Sequence, residues 1–261
     1  MRQPIPLIPT EVRVLTRCPL HYHFLQQSSA TQEELPRAAL DRVVRETIQQ
    51  LHAAGGPARL SLESCLKEVI QPAARKMIEN YYYRLEQDWS RMIAGNEPMS
   101  LRISIGGVAL TLKATLDRLD TTRDGGILAI LIRTDWEAPS TADELRSDPA
   151  TTIYHALVAS TYPLKRPVRI QELWLYHNQE VTIELSEEEY RENLGQLREP
   201  VQALARGEVM ARPGLHCDVC PFKYRGCPVY AQEDDAETEP DDFVPPTSDG
   251  KISPRKWIFK I

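Results

Sequence analysis

Apolar positions along the 261-residue chain recur at two spacings, and the change from one to the other divides it into elements. Between Pro36 and about Ala53, the positions Leu40, Val43, Val44, Thr47, Ile48 and Leu51 fall on one face at helical spacing, and Gly55-Gly56-Pro57 ends the run. A second helical region is predicted from about Ser61 to Ile93, kinked at Pro72. After Gly95 the period becomes two. Leu101, Ile103 and Ile105 alternate before Gly106-Gly107, and Leu110, Leu112, Ala114 and Leu116 alternate after it, which predicts two strands over 101–119. The turn Asp124-Gly125-Gly126 leads into the continuous apolar run 127–132, the pattern of a strand covered on both faces. A short helix is predicted over 148–159, a strand over 168–176, and a helix opened by the Ser186/Glu189 capping box and running towards Arg206. The first nine residues, three of them prolines, are read as extended, with Thr10 or a neighbour capping the helix that follows. The order describes a mixed α/β domain with a small central sheet.

Composition narrows this picture modestly. At 42% hydrophobic residues the chain fits a globular protein with a sizeable core, and one main domain over 1–230 is the simplest count. The formal charge of −6 disfavours a polyanionic partner, but Glu233, Asp234, Asp235, Glu237, Glu239, Asp241 and Asp242 crowd one stretch, so net charge is a poor guide to the rest. Residues 231–261 read as an acidic, proline-rich linker followed by a basic tail with Lys251, Arg255, Lys256 and Lys260, either a docking tail or a strand covering the domain. No apolar stretch is long enough for a signal peptide or membrane span, and the expected setting is the cytoplasm, without a membrane partner.

Cysteine spacing adds chemistry. Cys217-x2-Cys220-x6-Cys227 places three thiolates on a tight loop, and Cys18, followed by proline like Cys220 and Cys227, is the natural fourth ligand. Such a site would join the two ends of the domain and restrict the unfolded chain. A redox pair or packed core cysteines are the alternative, and spacing alone leaves zinc and an iron-sulfur cluster both open. Cys65, mid-helix, reads as a small buried apolar residue.

Three segments together resemble a known family, the iron-sulfur RecB/AddB-type branch of the PD-(D/E)XK nucleases. They are Cys18-Pro19, the hairpin Ala114-x-x-Asp117-Arg118-Leu119-Asp120, and Pro213-Gly214-x-x-Cys217-x-x-Cys220-Pro221-Phe222 ending at Cys227. The resemblance implies a restriction-endonuclease-like core, a [4Fe-4S] cluster on Cys18, Cys217, Cys220 and Cys227, and DNA as partner. Zinc is the alternative occupant of the four-cysteine site. The resemblance also implies a catalytic set: a helical histidine, a hairpin aspartate, and an acid and lysine on the next strand, together holding magnesium or manganese.

Only part of that set is present. Asp117 matches the hairpin acid and would be the catalytic and metal-binding carboxylate. The acid-x-lysine pair aligns with Leu131 and Arg133, the histidine with Val44, with His52 two turns on, and the glutamine-tyrosine pair with Ala150 and Tyr154. Leucine binds no metal, and arginine keeps its charge without serving as a proton-transfer base. Asp124, Asp135, Glu97 and Glu172 are the carboxylates considered as replacements. The plain alternative for Asp117 is an ion pair with Arg118 or a turn cap near Asp120. His21, His23, His155 and His216 read as packing residues, with His216 beside the cysteine loop.

The resulting expectation is a catalytically degenerate nuclease-fold protein acting as a DNA-binding or architectural subunit in repair, recombination or defence, beside an active nuclease or a helicase. Lys113, Arg118, Arg133, Lys165, Arg166, Lys223 and Arg225 are the candidate phosphate contacts. Two readings compete with it: an active magnesium- or manganese-dependent DNA exonuclease or endonuclease using Asp117, and a protein-interaction module with no nucleic-acid role.

Overall fold

The structure is a computed structural model that describes residues 3–27, 36–224, 226–230 and 257–260. The N-terminal prolines delimit a short strand, β1 (Ile5–Leu7), and open two helices, α1 (Pro9–Arg17) and α2 (Pro19–Gln27), with Cys18 at the joint. Proline suits the first helical position because its missing N–H would be unpaired there anyway. The helix α3 (Pro36–Ala53) forms as its periodicity predicts.

The region expected as one kinked helix is instead α4 (Leu62–Leu66), a break, and α5 (Pro72–Asp88). Pro72 begins a helix rather than bending one. The chain then enters β2 (Met92–Ile105), which starts well before residue 101, and returns in β3 (Val108–Thr121) through Gly106 and Gly107, both at positive φ. There follow β4 (Ile127–Arg133), α6 (Ala142–Ser147), α7 (Pro149–Thr161), β5 (Val168–Trp174), β6 (Gln179–Glu184), α8 (Glu187–Arg206) and β7 (Glu208–Ala211). A last strand, β8 (Trp257–Lys260), pairs antiparallel with β7, so this part of the tail is a strand added to the domain; the acidic linker lies outside the described residues.

The main sheet is mixed and six-stranded. Along one edge of β3 runs β2, antiparallel for its whole length; on the other edge β1 pairs parallel with the first half and β4 antiparallel with the last four residues. Parallel β5 and antiparallel β6 complete the order. Alternate residues of β4 feed opposite cores: Ile127, Ala129 and Leu131 pack with α1, α7 and α8, whereas Ile130 and Ile132 pack with α3, α4 and α5. A strand covered on both faces has no polar positions to spare. Among the described residues no helix is long and apolar enough to cross a membrane.

Candidate functional site

The β3–β4 ladder stops at Arg118↔Ile130, and beyond it the strands separate. Asp117 sits at the separation. Its Oδ2 accepts the Ile132 N–H (2.7 Å), a donor that a continued ladder would have used. Its Oδ1 accepts from Arg45 Nη1 (2.5 Å), delivered by α3 from across 72 residues of sequence. Arg45 also donates from Nη2 to the Ile132 carbonyl (2.9 Å) and from Nε to both oxygens of Asp41 (2.9 and 3.0 Å). Asp41 in turn accepts from Thr134 Oγ1 (2.6 Å). Burial pushes the Asp117 carboxyl above the usual aspartate range, against the pull of Arg45 and the Ile132 N–H. For Arg45, burial works against the charge, but Asp117 and Asp41 more than restore it.

Next to this pair, Leu131 is buried in the apolar core and aligned in register with Glu172 of β5. Glu172 is 1% exposed. Its Oε1 lies 3.8 Å from Arg133 Nε and 3.9 Å from Arg13 Nη2, while Oε2 has no hydrogen-bond partner. Arg13 is held by Asp148 (Nε to Oδ2, 2.7 Å), which also caps α7 through the Ala150 N–H. Arg133 stacks 5.2 Å from the Trp174 ring. Burial raises the Tyr154 hydroxyl, with Asp117 adding to the rise and Arg13, Arg133 and Arg45 opposing it, which places this tyrosine among all four. Beside the group opens a cleft whose walls include Arg13, Arg17, Arg133 and Trp174, together with Glu137, Glu144 and Asp148.

Several expected residues fall elsewhere. Val44 is fully buried in the core under α3 and Ala150 is buried at the start of α7, so neither position faces a ligand. His52 belongs to a separate buried network: its Nε2 lies 2.6 Å from the Tyr81 hydroxyl, and Arg118 binds Asp120 through two bonds of 2.7 and 2.5 Å. Arg118 is 2% exposed, which removes it as a phosphate contact; an arginine locked to a buried carboxylate has no face left for DNA. Asp117 pairs with neither Arg118 nor a turn, so the plain alternative is right in kind but wrong in partner. Asp124 is tied to Arg169 at its own turn, Glu97 lies on β2 opposite Leu116, and Asp135 pairs with Arg133 at 3.4 Å. Arg166 is spent on the carbonyls that end α7, with Lys165 beside it; Lys223 pairs with Asp218, Lys113 is exposed on β3, and Arg225 lies outside the described residues. Arg13 and Arg45 were not among the candidates. The only trace of Arg45 in the sequence is its place one residue after the expected histidine position and four after Asp41.

The oxygens that would hold magnesium or manganese do not fit that ion here. Both Asp117 oxygens are taken, Leu131 offers no oxygen, and a guanidinium occupies the approach.

The cysteines behave differently. Cys18, Cys217, Cys220 and Cys227 are unbridged and line one apolar pocket with Phe24, Phe222 and Tyr230. Burial raises the Cys227 thiol, and the nearby Cys18 and Cys217 add to the rise. Thiolates are the donor type that an iron-sulfur cluster takes. Among the described residues no three histidine, cysteine or acidic side chains converge as closely as a single ion needs.

A mixed sheet between two helical layers, with an aspartate where the central hairpin opens, defines a nuclease-type α/β fold. The chain belongs to the PD-(D/E)XK nuclease superfamily, whose profile matches residues 6–228. Among solved structures it is similar to SSO0001 (12% identity, 89% of this chain and 90% of that one, TM-score 0.44). It is also similar to a provisionally assigned exonuclease from Eubacterium rectale (12% identity, 76% and 79%, TM-score 0.48). No curated protein matches.

Proposed function

We propose that this chain is a cytoplasmic nuclease-fold protein that binds DNA without cutting it, as a DNA-binding or architectural subunit beside an active nuclease or helicase. The observation that carries the reading is the Arg45–Asp117 pair: one Asp117 oxygen on Arg45, the other on the Ile132 N–H, with leucine at the neighbouring strand position. Hydrolysis of a phosphodiester in this superfamily depends on a metal-bound water, and here a guanidinium occupies the approach to the carboxylate that would hold the metal. Arg13, Arg17 and Arg133 on the adjoining cleft are the groups offered to phosphate. The carboxylates on the same walls limit that attraction, so about three phosphate contacts and a logarithmic salt slope near −3 are expected.

A [4Fe-4S] cluster on Cys18, Cys217, Cys220 and Cys227 completes the proposal; zinc, the alternative occupant, would need the thiols to draw closer than they stand among the described residues. The cluster's contribution is structural: α2 and the cysteine loop meet at this pocket and its aromatic rim, where Phe24 and Phe222 stand 5.1 Å apart.

The test uses anaerobically purified full-length protein on single-stranded and open-ended duplex DNA with magnesium and with manganese. Salt-dependent binding with intact DNA is expected. Cleavage that disappears in Asp117→Ala overturns the reading in favour of an active nuclease. Negligible binding at low salt overturns it in favour of a protein-interaction module.

A further inference from the structure

We infer that Arg45 is the resident cation of this site: its guanidinium stands in, within the chain itself, for the divalent ion that the superfamily's chemistry requires. The inference deepens the non-cleaving reading and rests on it for the identity of the site, but the geometry is independent. Three elements send oxygen to one side chain. Asp117 comes from the opening of β3, the Ile132 carbonyl from β4, and both oxygens of Asp41 from α3, at 2.5 to 3.0 Å from the three guanidinium nitrogens. Thr134 Oγ1 supports the arrangement from behind by donating to Asp41 (2.6 Å).

Carboxylates, a backbone carbonyl and a hydroxyl are the ligand types that hard divalent cations take. Such oxygens gathered at a sheet edge repel one another unless a positive charge sits among them. Here that charge is covalently attached and does not titrate. Arginine suits the place better than lysine because a planar fork meets three separately directed acceptors, whereas an ammonium is a compact point charge. Leu131 is consistent with this assignment. With a single positive charge from Arg45 in place of a doubly charged ion, a second strand carboxylate would be left without compensation in the apolar core.

Removing the guanidinium should therefore uncover a cation site built from oxygen. The experiment compares the full chain and Arg45→Ala in metal-free buffer, titrating manganese and reading thermal unfolding and the manganese electron paramagnetic resonance signal. The variant is expected to melt lower than the parent and to regain about 4 °C when manganese reaches about ten times its dissociation constant, while the parent does not respond. Arg45→Ala/Asp117→Asn should lose the gain, which separates this site from manganese bound elsewhere. Arg45→Gln, closer in volume, serves if the alanine variant fails to fold. An equal shift in the parent, or a folded variant that ignores manganese, overturns the inference. DNA cleavage by the parent sinks the non-cleaving reading, and manganese uptake confined to the Arg45 variants would still stand.

Discussion

Two regions of this molecule carry the marks of a cofactor site, and they have been left in opposite states. At the sheet edge Arg45 finds acceptors within the chain for all three of its nitrogens, in Asp117, Asp41 and the Ile132 carbonyl. In the cysteine pocket Cys18, Cys217, Cys220 and Cys227 line apolar walls, and none of them is bridged to another. The first region supplies its own counter-charge; the second is a set of unbridged thiols, and the cluster proposed for it would come from outside the chain. On the proposed reading, a nuclease fold that does not cut can dispense with its catalytic ion, whereas a cluster joining the chain ends would contribute folding energy.

The largest expected effect follows from that difference. Cys217→Ser, or removal of the bound group by chelation, should abolish visible absorption and lower stability by several kcal/mol, since the binding energy of a structural thiolate site is folding energy, about 10 kcal/mol or more in small zinc domains. Cys65→Ala, deleting a thiol buried in the apolar cluster under α3 and α5, should cost about 1 kcal/mol and leave the spectrum unchanged. Denaturant melts with iron, sulfide and zinc analysis check both. Stoichiometric zinc without iron or sulfide would remove the cluster, and equal losses in both variants would remove the contrast between the two regions.

Next in size is the Arg118–Asp120 pair behind Asp117, with side chains 2% and 5% exposed. Asp120→Ala leaves a buried guanidinium uncompensated and should cost about 3 to 5 kcal/mol. The double variant Asp120→Ala/Arg118→Met should recover much of that loss. A chemical denaturation series on the three proteins decides whether the polar groups at the sheet end are as self-sufficient as their geometry indicates.

The sequence displays these regions unequally. Local signals translated well: the capping box at Ser186 does open α8, which ends at Arg206 before Gly207 at positive φ, and the apolar run at 127 became β4. Strand β6 was missed because its alternation is short: only Val181 and Ile183 among its six residues turn to the core, between exposed Glu180, Thr182 and Glu184. The start of β2 was hidden by Gly95, Asn96 and Pro98, residues that ordinarily mark turns, with Asn96 at positive φ and a register shift between Met92 and Ala94. Asp117 was legible through its hairpin motif and the cysteines through their spacing. Arg45 was not, because its partners lie 72 and 87 residues away and only the packing of α3 on the sheet makes it their neighbour.

His52 gives a smaller effect that is read with pH. Burial, with Arg118 adding to it, lowers the His52 imidazole to about 4 from an ordinary 6.5. Between those values the unfolded chain binds a proton that the native state refuses, so stability rises with pH through this window and is lost as the solution is acidified from 6.5 towards 4. The expected loss is about 2 to 3 kcal/mol. Asp117 and Asp120, both raised by burial, contribute in the opposite sense nearer pH 4, so the slope is best measured above pH 5. His52→Gln can still reach the Tyr81 hydroxyl but does not titrate, and it should flatten the slope. An unchanged slope would move the titration to another group.

The smallest expected effect bears on whether the sheet edge is finished. Glu172 is a buried carboxylate with only distant partners, Arg133 at 3.8 Å and Arg13 at 3.9 Å, and one oxygen without a hydrogen bond. Its attraction to two arginines and the cost of keeping its charge out of water oppose each other, and both arginines keep other carboxylates, Asp135 and Asp148. Glu172→Gln should therefore change stability by no more than about 1 kcal/mol, measured by urea denaturation at neutral pH. The same variant asks whether Glu172 replaces the missing strand acid from the next strand over. If it did, manganese binding to the parent would be detectable and would weaken in Glu172→Gln. If Arg45 is the only cation the site needs, the parent takes no manganese there and the substitution leaves its metal response flat.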